Sequence, residues 1–282
     1  MPMKRFRFLL LLLSLLPVSA HAATQTITVV ADKWCPYNCD ENSAHPGYMV
    51  EMLRLAMKKA DIEVVYKVMP WSQAIEGTKK GEYDAVVGAA HGDARELVFP
   101  EVLQGISIME FWVRKDSNWN YKSPSSLSGQ RLGVIADYFY GKSINEYINH
   151  YKTGVNQNIE AVTGSNASEL NIQKLLSGQL DIILEDKNVV NYYFASRGEP
   201  LPFKSAGNPV SIEDFSETFI YVAFSPKNPR AKYYAQLFTR GIQEMRQNGE
   251  LNKILSLYHM TESYQFIGKA GVRPPAHPAP AQ

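Results

Sequence analysis

Cysteine is nearly absent from this 282-residue chain: Cys35 and Cys39 are the only two. Three residues separate them, where thiol redox motifs have two, so a catalytic dithiol is not expected. Histidine is scarce as well, six residues with no ligand-spaced pair, and no metal centre is expected. There is no glycine-rich phosphate loop and no nucleophile elbow, so no cofactor is expected and catalysis finds little support. A basic patch is missing, which argues against nucleic acid and anionic membrane as partners. After the first residues no stretch is long and apolar enough to cross a bilayer, which takes about 20 residues.

What is present begins with an export address. Lys4, Arg5 and Arg7 precede an apolar run from Phe8 to Leu16, then Pro17 and the small-residue site Ala20-His21-Ala22. This order reads as a secretory signal peptide over residues 1–22, cleaved after Ala22. No cysteine follows the cleavage site, as a bacterial lipid anchor would need. The expected location is the periplasm. The leader holds three of the 29 basic residues and none of the 28 acidic ones, so the remainder carries two more acids than bases. In an exported chain the pair Cys35 and Cys39 reads as a structural disulfide. Its loop is very short, so its expected job is to stiffen the segment that carries Trp34.

The central stretch is Gly81-Glu82-Tyr83-Asp84-Ala85-Val86-Val87-Gly88-Ala89-Ala90-His91-Gly92-Asp93-Ala94-Arg95. A helix should end at Gly81, where glycine suits the left-handed cap. Ala85 to Val87 is an uninterrupted apolar run, as in a strand covered on both faces. The loop that follows lies at the carboxyl end of that strand, where open α/β sheets place ligands. The pattern returns as Gly178-Gln179-Leu180-Asp181-Ile182-Ile183-Leu184-Glu185-Asp186. One copy ends in a cation and the other in two anions. Two α/β lobes facing across a cleft, and holding opposite ends of a zwitterion, are expected.

Along the chain, Thr26–Ala31 and Glu63–Val68 are β-branched and apolar and predict strands. Met49, Met52, Leu53, Ala56 and Ala60 recur at helical spacing. Pro70-Trp71-Ser72 opens a helix that ends at Gly81. Gly105 to Lys115 reads as one long strand leaving the first lobe. Residues 131–136 open a second α/β unit, followed by Tyr138, Phe139 and Tyr140. Helices are predicted over 142–151, from Asn166 to Gly178 with Glu169 three residues into a capping box, and over 188–196. A short strand is predicted near 159–162. Thr218–Phe224 is again extended, and with the earlier long strand makes two crossings, a hinge. Pro229 opens a long helix that Gly249 ends, and a last helix presents Leu251, Ile254, Leu255 and Tyr258. The limits read from the sequence are 23–112 with 222–268 for lobe 1 and 113–221 for lobe 2. Residues 269–282, rich in Pro and Ala, form a disordered tail.

In this order the features resemble the family 3 extracellular solute-binding proteins, polar amino-acid receptors of bacterial ABC importers. The resemblance spans about Ile27 to Tyr258. It rests on Trp34-Cys35-Pro36-Tyr37 after strand one, Gly47-Tyr48-Met49-Val50-Glu51, Pro70-Trp71, Gly81-x-Tyr83-Asp84, Arg95, Gly178-x-Leu180-Asp181 with an acid five on, and Gly249-Glu250-Leu251. It implies an α/β two-lobed fold that closes on its ligand, with two parallel-rich sheets and a two-strand hinge. It also implies residue roles. Arg95 would clasp a ligand α-carboxylate bidentately. Asp186 would receive the α-ammonium, Trp34 would stack on the ligand and Trp71 would wall the pocket. Asp32, Tyr138 and Glu185 complete the candidate site. Each has a plainer alternative: Arg95 a solvated loop residue, Asp186 a helix N-cap, Trp34 a lid on the disulfide, Asp32 a solvated acid.

The resemblance also has departures. The family places hydroxyls between strand and arginine; here the loop is Ala89, Ala90, His91 and one residue shorter. Where it offers a Gly-Thr-Thr-like turn, this chain has Asp137-Tyr138-Phe139-Tyr140. Those aromatics favour a larger, flatter or cationic ligand. The expected function is a monomeric, non-enzymatic periplasmic binding protein. It would capture an amino acid or similar small polar solute and hand it to a membrane ABC permease. A receptor subunit for a membrane sensor is the alternative, and a periplasmic dehydratase with Glu185 as general acid a more distant one.

Overall fold

The computed structural model describes residues 25–152, 158–209 and 218–261. The leader expected at 1–22 and the tail expected at 269–282 lie outside the described residues.

The first part of the chain alternates strand and helix: β1 (Gln25–Ala31), α1 (Tyr48–Lys58), β2 (Ile62–Val68), α2 (Trp71–Lys80) and β3 (Ala85–Ala89). Two short strands follow, β4 (Gly105–Ile106) and β5 (Met109–Arg114). The second alternating unit is β6 (Leu132–Ile135), α3 (Lys142–Lys152), β7 (Ile159–Val162), α4 (Ala167–Leu176), β8 (Ile182–Asp186) and α5 (Lys187–Ala195). The chain then forms β9 (Phe203–Ser205), β10 (Phe219–Phe224), α6 (Ala231–Asn248) and α7 (Glu250–Ser256).

Two five-stranded sheets result, ordered β2-β1-β3-β10-β4 and β7-β6-β8-β5-β9. They are built alike. In each, a central strand pairs in parallel with two neighbours: β1 with β2 and β3, β6 with β7 and β8. In each, one antiparallel strand is added beside the third: β10 on β3, β5 on β8. β1 is in register with β2 from Gln25↔Ile62 to Ala31↔Val68. Its run of Val29, Val30 and Ala31 is wholly buried, because helices cover the sheet. α1 turns Tyr48, Met49, Met52, Leu53 and Ala56 inward against α6, where Gly241 lets the helices approach. A Cβ there would lie 2.5 Å from the Ala56 Cβ. α2 ends where the sequence requires, with Gly81 at φ 85° donating its N–H to the Gly77 and Thr78 carbonyls.

The spelled repeat has a structural job. Asp84 Oδ2 accepts from the Thr28 N–H (2.8 Å) and its own N–H donates to the Thr28 carbonyl (2.9 Å). Asp181 does the same to Arg131, at 3.0 and 2.9 Å. In both lobes this aspartate ties the start of the third strand to the central one.

Several expectations are corrected. The predicted strand Gly105–Lys115 is broken at Ser107–Ile108. There the Ser107 N–H goes to the Thr218 carbonyl (2.7 Å) and the Ile108 N–H to Asp186 Oδ2 (2.8 Å), so neither serves a continuous strand. Met109–Trp112 therefore lies in the second sheet and Phe219–Tyr221 in the first. The sheets divide at Ser107–Ile108, not after Trp112. The capping box at Asn166 does not form: its side chain makes no cap bond, and Glu169 pairs instead with Lys33 (3.2 Å) and Arg197 (2.9 Å). β9 carries no periodic signal, being three residues held by pairing with β5.

Candidate functional site

The carboxyl ends of β1, β3 and β6 converge on one cavity between the lobes. Asp32 follows β1 directly. Trp34 sits in the next loop, which the Cys35–Cys39 disulfide closes. That loop is held further by Trp34 N–H to the Asn38 carbonyl (2.7 Å) and Asn38 Nδ2 to the Asp32 carbonyl (2.6 Å). Trp34 stacks on Tyr37 with ring centroids 4.2 Å apart. Trp71 enters at the start of α2, and Asp93 in the turn after β3. The second lobe contributes Tyr138 and Phe139, which stand between β6 and α3.

The lobes touch directly across this cavity. Tyr138 OH donates to Asp32 Oδ2 (2.5 Å). Trp34 Nε1 donates to Glu185 Oε1 (2.9 Å). At the rim the Lys33 N–H reaches the Ser165 carbonyl (2.7 Å). The space left is about 50 Å³, room for a few waters. A solute larger than that displaces some of these bonds as the lobes close on it.

Burial dominates the electrostatics. It pushes the Asp32 carboxyl up to about 7, against the Tyr138 hydrogen bond and with the nearby Asp93 charge adding to the rise. Glu185 is likewise pushed up to about 7 by burial, opposed by Trp34, Ser168 and the Asp186 N–H. Glu185 Oε1 takes both the Trp34 and Asp186 N–H groups.

Of the residues singled out by sequence, Asp32, Trp34, Trp71 and Tyr138 line the cavity together. Glu185 lies behind Trp34 and is not in the lining. Asp186 is occupied. It is the N-cap of α5, accepting from the Asn188 and Val189 N–H groups (2.7 and 3.1 Å). It also takes the Ile108 N–H, the Ser107 hydroxyl (3.1 Å) and the Tyr37 hydroxyl (3.0 Å). Five donors leave little capacity for an ammonium. Burial raises this carboxyl to about 7, with the Val189 and Ile108 N–H groups pulling the other way. Arg95 is exposed and not in the lining. The physical reason is the short turn Ala90–Asp93: the Asp93 N–H returns to the Ala90 carbonyl (3.2 Å) and Asp93 Oδ2 accepts the Ala90 N–H (2.8 Å). This turn aims Asp93, not Arg95, at the cavity. The expected pairing of a guanidinium and a carboxylate across the cleft is thus not assembled. Sequence reasoning missed Asp93 and Phe139 as lining residues, although both lay inside stretches it had marked.

A cavity at the strand ends of two facing α/β lobes, bridged by direct hydrogen bonds, defines a two-lobed binding-protein architecture. The chain belongs to the bacterial extracellular solute-binding proteins, family 3, matched over residues 27–261. It is similar to the probable amino-acid-binding protein YxeM of Bacillus subtilis, 22% identical over 228 residues and 79% of each chain. It is similar to a probable histidine-binding protein of Campylobacter jejuni, 21% identical over 246 residues, 86% of this chain and 89% of that one. Among solved structures, an ancestral arginine-binding protein bound to arginine superposes with a TM-score of 0.65 at 19% identity, covering 83% of this chain and 97% of the other.

Proposed function

We propose that this protein captures an amino acid or a similar small polar solute between its lobes in the periplasm and presents it to the membrane permease of an ABC importer. It acts as a monomer and without catalysis. The observation that carries this reading is the cavity itself, lined from both sheets at the carboxyl ends of their strands. Only a closed form brings both linings onto one solute, so a solute stabilises closure. Lobe 1 comprises 25–106 with 219–261, and lobe 2 comprises 109–205. The binding set is Asp32, Trp34, Trp71 and Tyr138, extended by Asp93 and Phe139. Arg95, Glu185 and Asp186 stand outside it. Glu185, turned to Trp34 and the Asp186 N–H, is poorly placed as a general acid, which disfavours the dehydratase alternative.

The test is a thermal-shift screen of the exported chain against amino acids, amines and small organic acids, followed by titration. At least one solute should raise the melting temperature and alter tryptophan emission through Trp34 or Trp71. Saturating binding with neither lobe-bridging tryptophan responding would contradict the proposed location.

A further inference from the structure

The cavity is unusual in its charges. Among the described residues no lysine or arginine lines it, while Asp32 and Asp93 both do. Lys33, beside Asp32 in sequence, is already paired with Glu169 at 3.2 Å. Around the two acids stand Trp34, Trp71, Tyr138 and Phe139. Tyr138 meets Trp71 edge-on at 5.5 Å and Trp34 at 6.3 Å, so the aromatic walls are continuous across the cleft. Such walls, with buried Asp32 and half-buried Asp93, favour one kind of guest, a positive charge, through ring quadrupoles and Coulomb attraction. A bare ligand carboxylate here would face two carboxyl groups and, among the described residues, no lysine or arginine.

Two further details fit. Asp32 Oδ2 takes its bond from a neutral donor, the Tyr138 hydroxyl, on the opposite lobe. A ligand N–H can replace that donor with a charge-assisted one. The Trp71 indole is 95% buried with its Nε1–H unpartnered, and it lines the same cavity. It offers a single donor to a hydroxyl, carbonyl or carboxyl oxygen near the cationic group.

We propose that the cavity selects organic cations, alkylammonium or guanidinium, for their positive charge, and that an α-carboxylate is dispensable. The inference rests on the solute-binding reading above and narrows it. It separates this chain from a receptor that clasps both ends of a zwitterion.

The test is calorimetric titration of the exported chain with matched pairs that differ only in the carboxylate: arginine with agmatine, lysine with cadaverine, histidine with histamine. Choline, glutamate, glutamine and succinate complete the set. At least one amine should bind within about tenfold of its amino acid, or more tightly. Asp32→Asn and Asp93→Asn, both near-isosteric and able to keep their present accepted bonds, should each weaken that amine roughly tenfold. Arg95→Ala should change no affinity by more than about twofold. Circular dichroism and melting of each variant report whether it is folded. The proposal is overturned if every amine binds over a hundredfold more weakly than its amino acid, or if Arg95→Ala abolishes binding. It is also overturned, with solute binding intact, if only glutamate, glutamine or succinate binds. No binding by any compound would overturn both readings.

Discussion

Asp32 concentrates the chemistry of the cavity. Its neighbours in charge are Tyr138 and Tyr140 from the loop after β6, Asp93 from the turn after β3, Glu185 on β8 and Tyr66 on β2. None is cationic. Asp32 and Glu185 hold their protons more tightly in the folded chain than when unfolded, where 3.8 and 4.5 apply. Their contribution to stability is full below those unfolded values and is lost as pH rises through about 7. Melting temperature measured between about pH 5 and pH 8 should fall toward the alkaline end, and Asp32→Asn should flatten that slope. A bound cation reverses the preference of Asp32 by favouring its charged form. Affinity for a permanent cation such as choline should then rise over the same interval, and a flat profile would remove Asp32 from the site. Asp186, raised alike by burial, also has a structural role. Asp186→Ala strips the N-cap of α5 and leaves donors on Ser107 and Ile108 without an acceptor, at a cost of about 2–4 kcal/mol. A melt should register that loss, whereas Arg95→Ala should leave the melting temperature nearly unchanged.

At the level of elements, most of the architecture was legible because its causes are local. β-Branched runs marked β1 and β2, Gly81 and Gly249 marked helix ends, and α7 was announced by Leu251, Ile254 and Leu255. What escaped depends on partners distant in sequence. β9 exists only because β5 pairs with it, and the break at Ser107–Ile108 only because Thr218 and Asp186 claim its N–H groups. The Gly-x-x-Asp repeat was visible, but its meaning was not. Asp84 and Asp181 anchor strands, and the difference between their chain ends does not translate into a cation facing an anion. Asp84→Ala removes bonds to the Thr28 N–H and to Asn228 Nδ2 (2.7 Å) and should cost about 1–3 kcal/mol in chemical denaturation without altering ligand specificity. The site itself was readable where a side chain sits next to a strand end, as with Asp32, Trp34 and Tyr138. It was unreadable in the turn at Ala90–Asp93, whose internal hydrogen bonds turn Asp93 rather than Arg95 to the cavity.

For the whole molecule, the two sheets face a shared cavity and already bond across it through Tyr138–Asp32 and Trp34–Glu185. Closure is therefore supported by the protein's own side chains, and a solute competes with them for Asp32. The contact between lobes is close elsewhere too. A Cβ on Gly92 would lie 2.3 Å from the Phe139 ring, so Gly92→Ala should wedge the lobes apart. Small-angle scattering should then show a larger radius of gyration, and solute affinity should drop. The most direct measurement of the central claim is a crystal structure with the tightest-binding amine or amino acid. The account predicts the cationic nitrogen between Asp32 and the Trp71, Tyr138 and Phe139 rings, with both lobes in contact and Arg95 in solvent. A solute held by Arg95 through its carboxylate, or bound to one lobe alone, would contradict it.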